Sequence, residues 1–155
     1  MVTTTLEPLL AKHPFFLDLP PDYLRLVTGC AANVRFAKGA VIAREGERQD
    51  QFFLIREGKA AVSTNIPGKG SITVQTLTTD DVLGWSWIFP PYLWAFDVVA
   101  VDELLTISLD GKCLRGKCDA DPKLGYEMMK RVARIMTERL KATRLQMMDV
   151  YGKRV

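Results

Sequence analysis

The sequence predicts a mainly β domain, a small barrel or sandwich, carried between short N-terminal helices and one long C-terminal helix. Three observations predict it. Runs rich in β-branched and aromatic residues recur about every ten residues from Val34 to Leu109, separated by glycine-bearing turns. Ahead of them, Leu6, Leu9 and Leu10 repeat at helical spacing. Behind them, apolar residues repeat in steps of three and four as far as Tyr151.

Taken in order, residues 1–32 read as short helical pieces. Pro14 interrupts the first, and Pro20-Pro21 opens a second with Tyr23, Leu24, Leu26 and Val27 as its apolar stripe. Residues 33–110 hold the strand-like runs: Val34 to Phe36, Ala40 to Ala43, Phe52 to Ile55, Ala60 to Thr64, Ile72 to Leu77, Val98 to Val101 and Leu104 to Leu109. Pro67-Gly68-Lys69-Gly70 reads as an exposed hairpin tip. Leu114, flanked by Lys112, Arg115 and Lys117, suits a short exposed helix or turn. Asp119 or Asp121 is placed as an N-cap and Pro122 at the first turn of the last helix, 119–151, with Gly152 to end it.

That helix carries two apolar faces. Tyr126, Met129, Ala133, Met136, Leu140, Thr143, Met147 and Val150 form a two-position seam over about four heptads. Leu124, Met128, Val132 and Ile135 form a second stripe on the first half alone. A helix of about 28 residues is ~42 Å long at 1.5 Å per residue, longer than so small a barrel needs. The expected arrangement has its first half packed on the barrel and the seam paired with the same helix of a second copy, a homodimer. The other arrangement is a lone helix folded back on its own domain.

Length and composition bound the function. The chain has 155 residues with 48% hydrophobic and 25% charged, ordinary for one globular domain. No apolar run approaches the ~20 residues of a membrane span, and Met1-Val2-Thr3-Thr4-Thr5 lacks the features of a secretory signal. Cys30, Cys113 and Cys118 are sparse and odd in number, which suits reduced thiols in a cytoplasmic protein better than a disulfide framework. The net charge of +3 is too mild to indicate nucleic acid. No Ser/His/Asp set, phosphate-cradling glycine loop or metal-spaced carboxylate pair is present, so the chain is read as no enzyme, and no metal or other cofactor is expected.

Helical lead, glycine-turned strands and a long dimer-type helix together resemble the cyclic-nucleotide-binding domain of the catabolite-activator/anaerobic-regulator superfamily. Glu45-Gly46, Phe53-Leu54-Ile55, Gly58, Gly84, Val98 and Ala100 carry the resemblance, with the glycines at turns where the backbone must reverse. It covers Leu6 to Tyr151. It implies a double-stranded β-helix, a jelly-roll-like β-roll, with short N-terminal helices and a long C-terminal dimerisation helix.

The resemblance also marks the stretch from Gly84 as the phosphate-binding cassette. In the family a Gly-Glu pair opens it and the carboxylate holds the ribose hydroxyl. An arginine about ten residues on makes a charge-assisted fork with the cyclic phosphate. Here Trp85 stands at the glutamate position. Trp94 stands at the arginine position if Val98 and Ala100 set the register, and Leu93 if it slips by one. No Lys or Arg occurs between Lys69 and Lys112, and Asp97 has the wrong sign for an anion. At ~1.5–3 kcal/mol per charge-assisted bond, losing fork and ribose contact weakens binding on the order of a thousandfold.

Aromatic residues stand in their place. Trp85, Trp87, Phe89, Tyr92, Trp94 and Phe96 are six of the chain's fourteen aromatics, and with Gly84 and Ser86 they are the candidate ligand pocket. Two readings stay open: rings lining a pocket for an apolar, planar or cationic ligand, or rings filling the vacated cavity as dry core. Intact cAMP or cGMP binding is the rival that Trp85 and Trp94 oppose.

The remaining constellations are bland. His13, the sole histidine, reads as a surface or capping residue. Cys113 and Cys118 lack the further ligands a zinc or iron–sulfur site needs. Arg44 to Asp50 is a mixed charge run, read as a solvated loop. Family regulators carry a helix-turn-helix after the long helix, and only Gly152 to Val155 follow Tyr151, so direct DNA binding is not expected. The expectation is a stand-alone regulatory module. Repacking around Trp85, Trp87, Tyr92 and Trp94 would shift the roll against the helix seam, and output would pass through dimer geometry or a protein partner.

Overall fold

The computed structural model describes residues 2–152, with side chains from Leu6 onward. Helices α1 (Val2–Lys12) and α2 (Pro21–Thr28), with a 3₁₀ turn at Pro14–Phe16 between them, lead into eight strands: β1 (Ala31–Phe36), β2 (Val41–Ala43), β3 (Gln51–Glu57), β4 (Ala60–Ile66), β5 (Gly70–Leu77), β6 (Val82–Leu83), β7 (Asp97–Ala100) and β8 (Leu104–Asp110). Helices α3 (Gly111–Ala120) and α4 (Pro122–Gly152) close the chain. The strands form two antiparallel four-stranded sheets ordered β1-β8-β3-β6 and β2-β7-β4-β5, the jelly-roll arrangement expected.

Strand β3 explains how the layers stack. Alternate side chains of a strand leave on opposite faces, and Phe52 and Leu54 enter one core while Phe53 and Ile55 enter another. The first core joins the sheet to the helices through Leu6, Leu10, Phe16, Leu114, Leu124, Met128, Val132 and Ile135. The second lies between the sheets, with Val62, Leu77, Leu83, Val98, Ala100 and Leu104. A strand covered on both faces reads as an unbroken apolar run, which is how Phe52 to Ile55 reads. At its end the chain reverses at Gly58, whose φ of +101° belongs to the left-handed region and whose missing Cβ would strike the Glu103 carbonyl.

Most expected elements stand within a residue or two of their place, and five points differ. β1 begins at Ala31, and β6, only two residues long, carries no periodicity to be read. α3 is a regular helix whose Leu114 and Cys118 are buried, not exposed, because that face packs on the helical core. Cys30 and Cys113, expected as separate reduced thiols, are joined in a disulfide, since α3 brings residues 83 apart in sequence to a Cα–Cα distance of 5.9 Å. His13 caps the 3₁₀ turn as read, its Nδ1 accepting from Phe15 N at 3.2 Å, but it is buried, with Nε2 unbonded.

The last helix runs Pro122–Gly152, starting three residues after the expected 119: of the two N-cap candidates it uses Asp121, while Asp119 lies inside α3. Asp121 Oδ1 accepts from Lys123 N at 3.1 Å and Leu124 N at 3.4 Å, and Pro122 opens the first turn. Leu124, Met128, Val132 and Ile135 are buried against the domain, so the short stripe is the packing face. Tyr126, Met129, Ala133, Met136, Leu140, Thr143, Met147 and Val150 are exposed on the chain alone. No helix among the described residues is long and apolar enough to cross a membrane.

Burial lowers the His13 pKa from 6.5, Asp80 and Asp81 opposing only in part. The folded state therefore binds its proton less readily than the unfolded state. The stability this gives is fully present above pH 6.5 and is lost as pH falls from there through the depressed folded value. Urea unfolding at stepped pH values below 7.5 should show the wild type losing stability relative to His13→Asn, which keeps the cap acceptor but does not titrate. Parallel pH profiles would contradict this.

Candidate functional site

The site is built where β6 ends. β6 pairs with β3 (Phe53 with Leu83, Leu54 with Val82) and forms the sheet edge. Gly84 then turns the chain with a φ of +92°. Trp85 precedes a 3₁₀ turn at Ser86–Ile88. A four-residue turn follows, Tyr92 N donating to Phe89 O at 3.1 Å across a cis Pro90–Pro91 bond. The next residues pair with the Arg44–Asp50 loop: Gly46 N donates to Trp94 O at 2.9 Å, Trp94 N to Glu47 O at 2.8 Å and Gln49 N to Tyr92 O at 2.6 Å.

This path separates the aromatics. Trp87, fully buried, stacks on Phe52 with centroids 4.6 Å apart, inside the helical core, and Phe89 packs against the same core. Trp94 stacks on Phe53 at 6.5 Å, inside the roll. Trp85 and Phe96 meet edge to face at the mouth, 6.0 Å apart. Tyr92 lies half-buried between Arg115, 4.0 Å from its ring centroid, and Arg48, at 6.0 Å. Gly84, Trp85, Ser86, Trp94 and Phe96 thus line one cavity, while Trp87, Phe89 and Tyr92 lie outside it.

That cavity holds about 20 Å³, enough for a single water. It is small because two side chains lie over Gly84. A Cβ there would meet the Gln49 amide and stand 2.8 Å from the Trp94 ring. Gln49 is fully buried, with Oε1 accepting from Ser86 N at 2.9 Å and Nε2 donating to Gln51 O at 3.1 Å. Outside, an apolar groove of about 370 Å³ runs between Trp85 and Phe96 on the roll and Met136 and Leu140 on α4.

Arg139 of α4 closes the mouth. Its Nη2 donates to Val82 O at 2.6 Å and its guanidinium stands 5.8 Å from the Trp85 ring centroid. Burial lowers its pKa, with Asp81 and Glu138 opposing. Asp97 Oδ1 turns away to accept from Glu45 N at 2.8 Å. Among the described residues, no group of three or more His, Cys, Asp or Glu is placed to hold a metal.

Sequence reasoning missed Gln49 and Arg139. Gln49 sits in a charge run read as solvated, and its burial comes from a partner 37 residues away. Arg139 reaches the cavity from another element, so searching the Gly84–Ala100 stretch for cations does not find it.

Residues 33–121 match the family model of the cyclic nucleotide-binding domain, more than half of the chain, and the chain belongs to that family. Curated relatives from two Mycobacterium tuberculosis strains, each described as a CRP-like cAMP-activated global transcriptional regulator, are 22% identical over 145 residues. The match covers 94% of this chain and spans 63% of their length. Among solved structures, a cyclic nucleotide-binding domain from Methylobacillus flagellatus is similar with a TM-score of 0.76 at 19% identity, covering 99% of this chain and 84% of that one. The N-terminal domain of a transcriptional regulator from Streptomyces coelicolor gives 0.68 at 20% identity, covering 86% and 93%. At these identities the structural likeness concerns the fold.

Gln49→Leu keeps the volume but leaves the buried Ser86 N–H unpaired, which costs about 1–3 kcal/mol. Urea unfolding should show that loss. A variant as stable as the wild type would mean that the Gln49 bond does not hold the segment.

Proposed function

We propose that this chain is a non-catalytic regulatory module whose nucleotide pocket is filled by its own side chains and whose output passes through a homodimer formed on α4. The observation that carries the first part is the packing over Gly84: the Trp94 ring and the Gln49 amide reduce the cavity to about 20 Å³. Chemistry points the same way. Trp85 and Trp94 offer no carboxylate for a ribose and no guanidinium for a phosphate. Arg139, the cation lining the cavity, is turned onto the Val82 carbonyl. Trp85, Trp87, Phe89, Tyr92, Trp94 and Phe96, with Gly84 and Ser86, then act as packing that ties the roll to the helices, and need no small-molecule ligand or cofactor.

The seam supports the second part. Leu140 is 71% exposed, Tyr126 64% and Val150 54%, a row of apolar side chains on a helix whose other stripe is already buried. A row at heptad spacing is suited to an antiparallel or parallel copy of itself. The groove walled by Met136 and Leu140 continues it to Trp85, so dimer geometry and the cassette meet. Binding to nucleic acid and membranes is no part of this reading, and a protein partner acting on the dimer is.

All three tryptophans lie in this segment, so their emission reports on it directly. Titration with cAMP and cGMP, excited at the red edge, should give no saturable change up to millimolar nucleotide. Saturation at micromolar nucleotide would replace this reading with that of a nucleotide-binding regulator.

Sedimentation equilibrium should find a dimer, and Leu140→Glu should shift it to monomer by at least tenfold in Kd. Because Leu140 is exposed on the chain, the far-UV spectrum of the variant should stay unchanged. A wild-type monomer at high micromolar concentration would remove the dimer from the proposal.

A further inference from the structure

We infer that Cys30 and Cys113 are a redox-active pair, exchanging with dithiols and disulfides in the folded chain, and that their state sets how firmly α3 holds the Trp87–Tyr92 segment. The pair closes the gap between the end of α2 and the first turn of α3. Its Cα–Cα distance of 5.9 Å lies in the ordinary range for a bonded pair, so thiols at these positions re-form the bond without moving the backbone.

The two sulfurs are not equally placed. Cys30 is buried in the helical core and Cys113 is only half-buried, so an incoming thiolate reaches Cys113 Sγ first. Its attack forms a mixed disulfide on Cys113 and releases Cys30 as a thiolate, which takes up a proton. The second thiol of the dithiol then displaces Cys113, which is protonated in turn. The pair has gained two electrons and two protons, and the dithiol has become a disulfide. Oxidation by a small disulfide runs the same steps backwards. Cys118 stays outside this exchange: it is buried, and burial pushes its thiol up to about 11.

α3 is what connects the pair to the cassette. Two residues past Cys113, Arg115 Nη1 donates to Trp87 O and the guanidinium lies 4.0 Å from the Tyr92 ring centroid. Gly111 sits where an added Cβ would be 3.0 Å from Trp87 Cβ, and its N–H donates to Asp50 O at 2.8 Å. On the other side Lys117 Nζ donates to Leu26 O at 2.6 Å, and Leu114 and Cys118 pack in the core with Leu24 and Val27, so with the bond cut α3 and α2 stay joined by non-covalent contacts alone.

The test uses the full chain, oxidised or treated with dithiothreitol without denaturant, and follows hydrogen exchange by peptide. The oxidised chain, denatured without reductant, should alkylate at Cys118 alone; alkylation at all three cysteines would overturn the pairing. Dithiothreitol should add two hydrogens to the intact mass while the far-UV spectrum is unchanged; a bond cut only in denaturant would overturn the exchange. Reduction should raise exchange in residues 111–120 and 84–96 on the order of tenfold or more, and shift the tryptophan emission. The variant C30S/C113S should match the reduced chain, and C118S the oxidised one. Faster exchange in 111–120 with none in 84–96 would overturn the coupling.

Discussion

The structure depends on β3 being covered on both faces. Phe52 and Phe53 are neighbours, and the strand sends one into the helical core and the other into the roll. Each is capped by a tryptophan, Trp87 on Phe52 and Trp94 on Phe53. The segment from Gly84 to Phe96 therefore leaves the sheet edge and grips β3 from both sides. Helices, sheet and roll share that one wall, and a change in the segment is felt in both cores.

The grip needs polar anchors as well as rings, because a segment with little regular structure carries backbone groups that must find partners. Gln49 supplies one anchor by holding Ser86 N, and the Gly46 to Gln49 backbone supplies others at Tyr92 and Trp94. Arg115 and Arg139 reach in from α3 and α4 to the carbonyls of Trp87 and Val82. Both helices after the roll thus hold the segment through a guanidinium, whose planar fork suits a carbonyl and a neighbouring ring together. The helices are coupled to the cassette by named bonds.

Much of this was legible in the sequence, and what was not has a physical cause. Strand runs, the Pro20-Pro21 start, the hairpin tip at Gly68 and the two stripes of α4 follow from local periodicity, and the structure places them close to where they were expected. β6 was not legible, since two residues have no period and Val82 and Leu83 are strand only by pairing with β3. The aromatic window was legible as a cluster but not in its division between two cores, which the Ser86–Ile88 turn decides. The Cys30–Cys113 bond was hidden by an odd cysteine count, which argues against pairing only when every cysteine must pair. Gln49 and Arg139 are set by partners far along the chain, where sequence spacing is silent.

The same contacts explain why, on the proposed reading, the cassette resists a cyclic phosphate beyond its missing arginine. Entry over Gly84 requires Trp94 to move aside and give up its stacking on Phe53. It also breaks the Gln49 hold on Ser86 N, leaving a buried donor to be satisfied by the ligand. Arg139 would have to exchange the Val82 carbonyl for the phosphate, gaining charge pairing while giving up an ordered bond. One recruited guanidinium contributes about 1.5–3 kcal/mol, and against it stand the lost ring contact, the Gln49 bond and the Val82 bond. On that reading the closed arrangement is favoured, and the size of the side chain at position 94 works against entry together with the charge that position lacks.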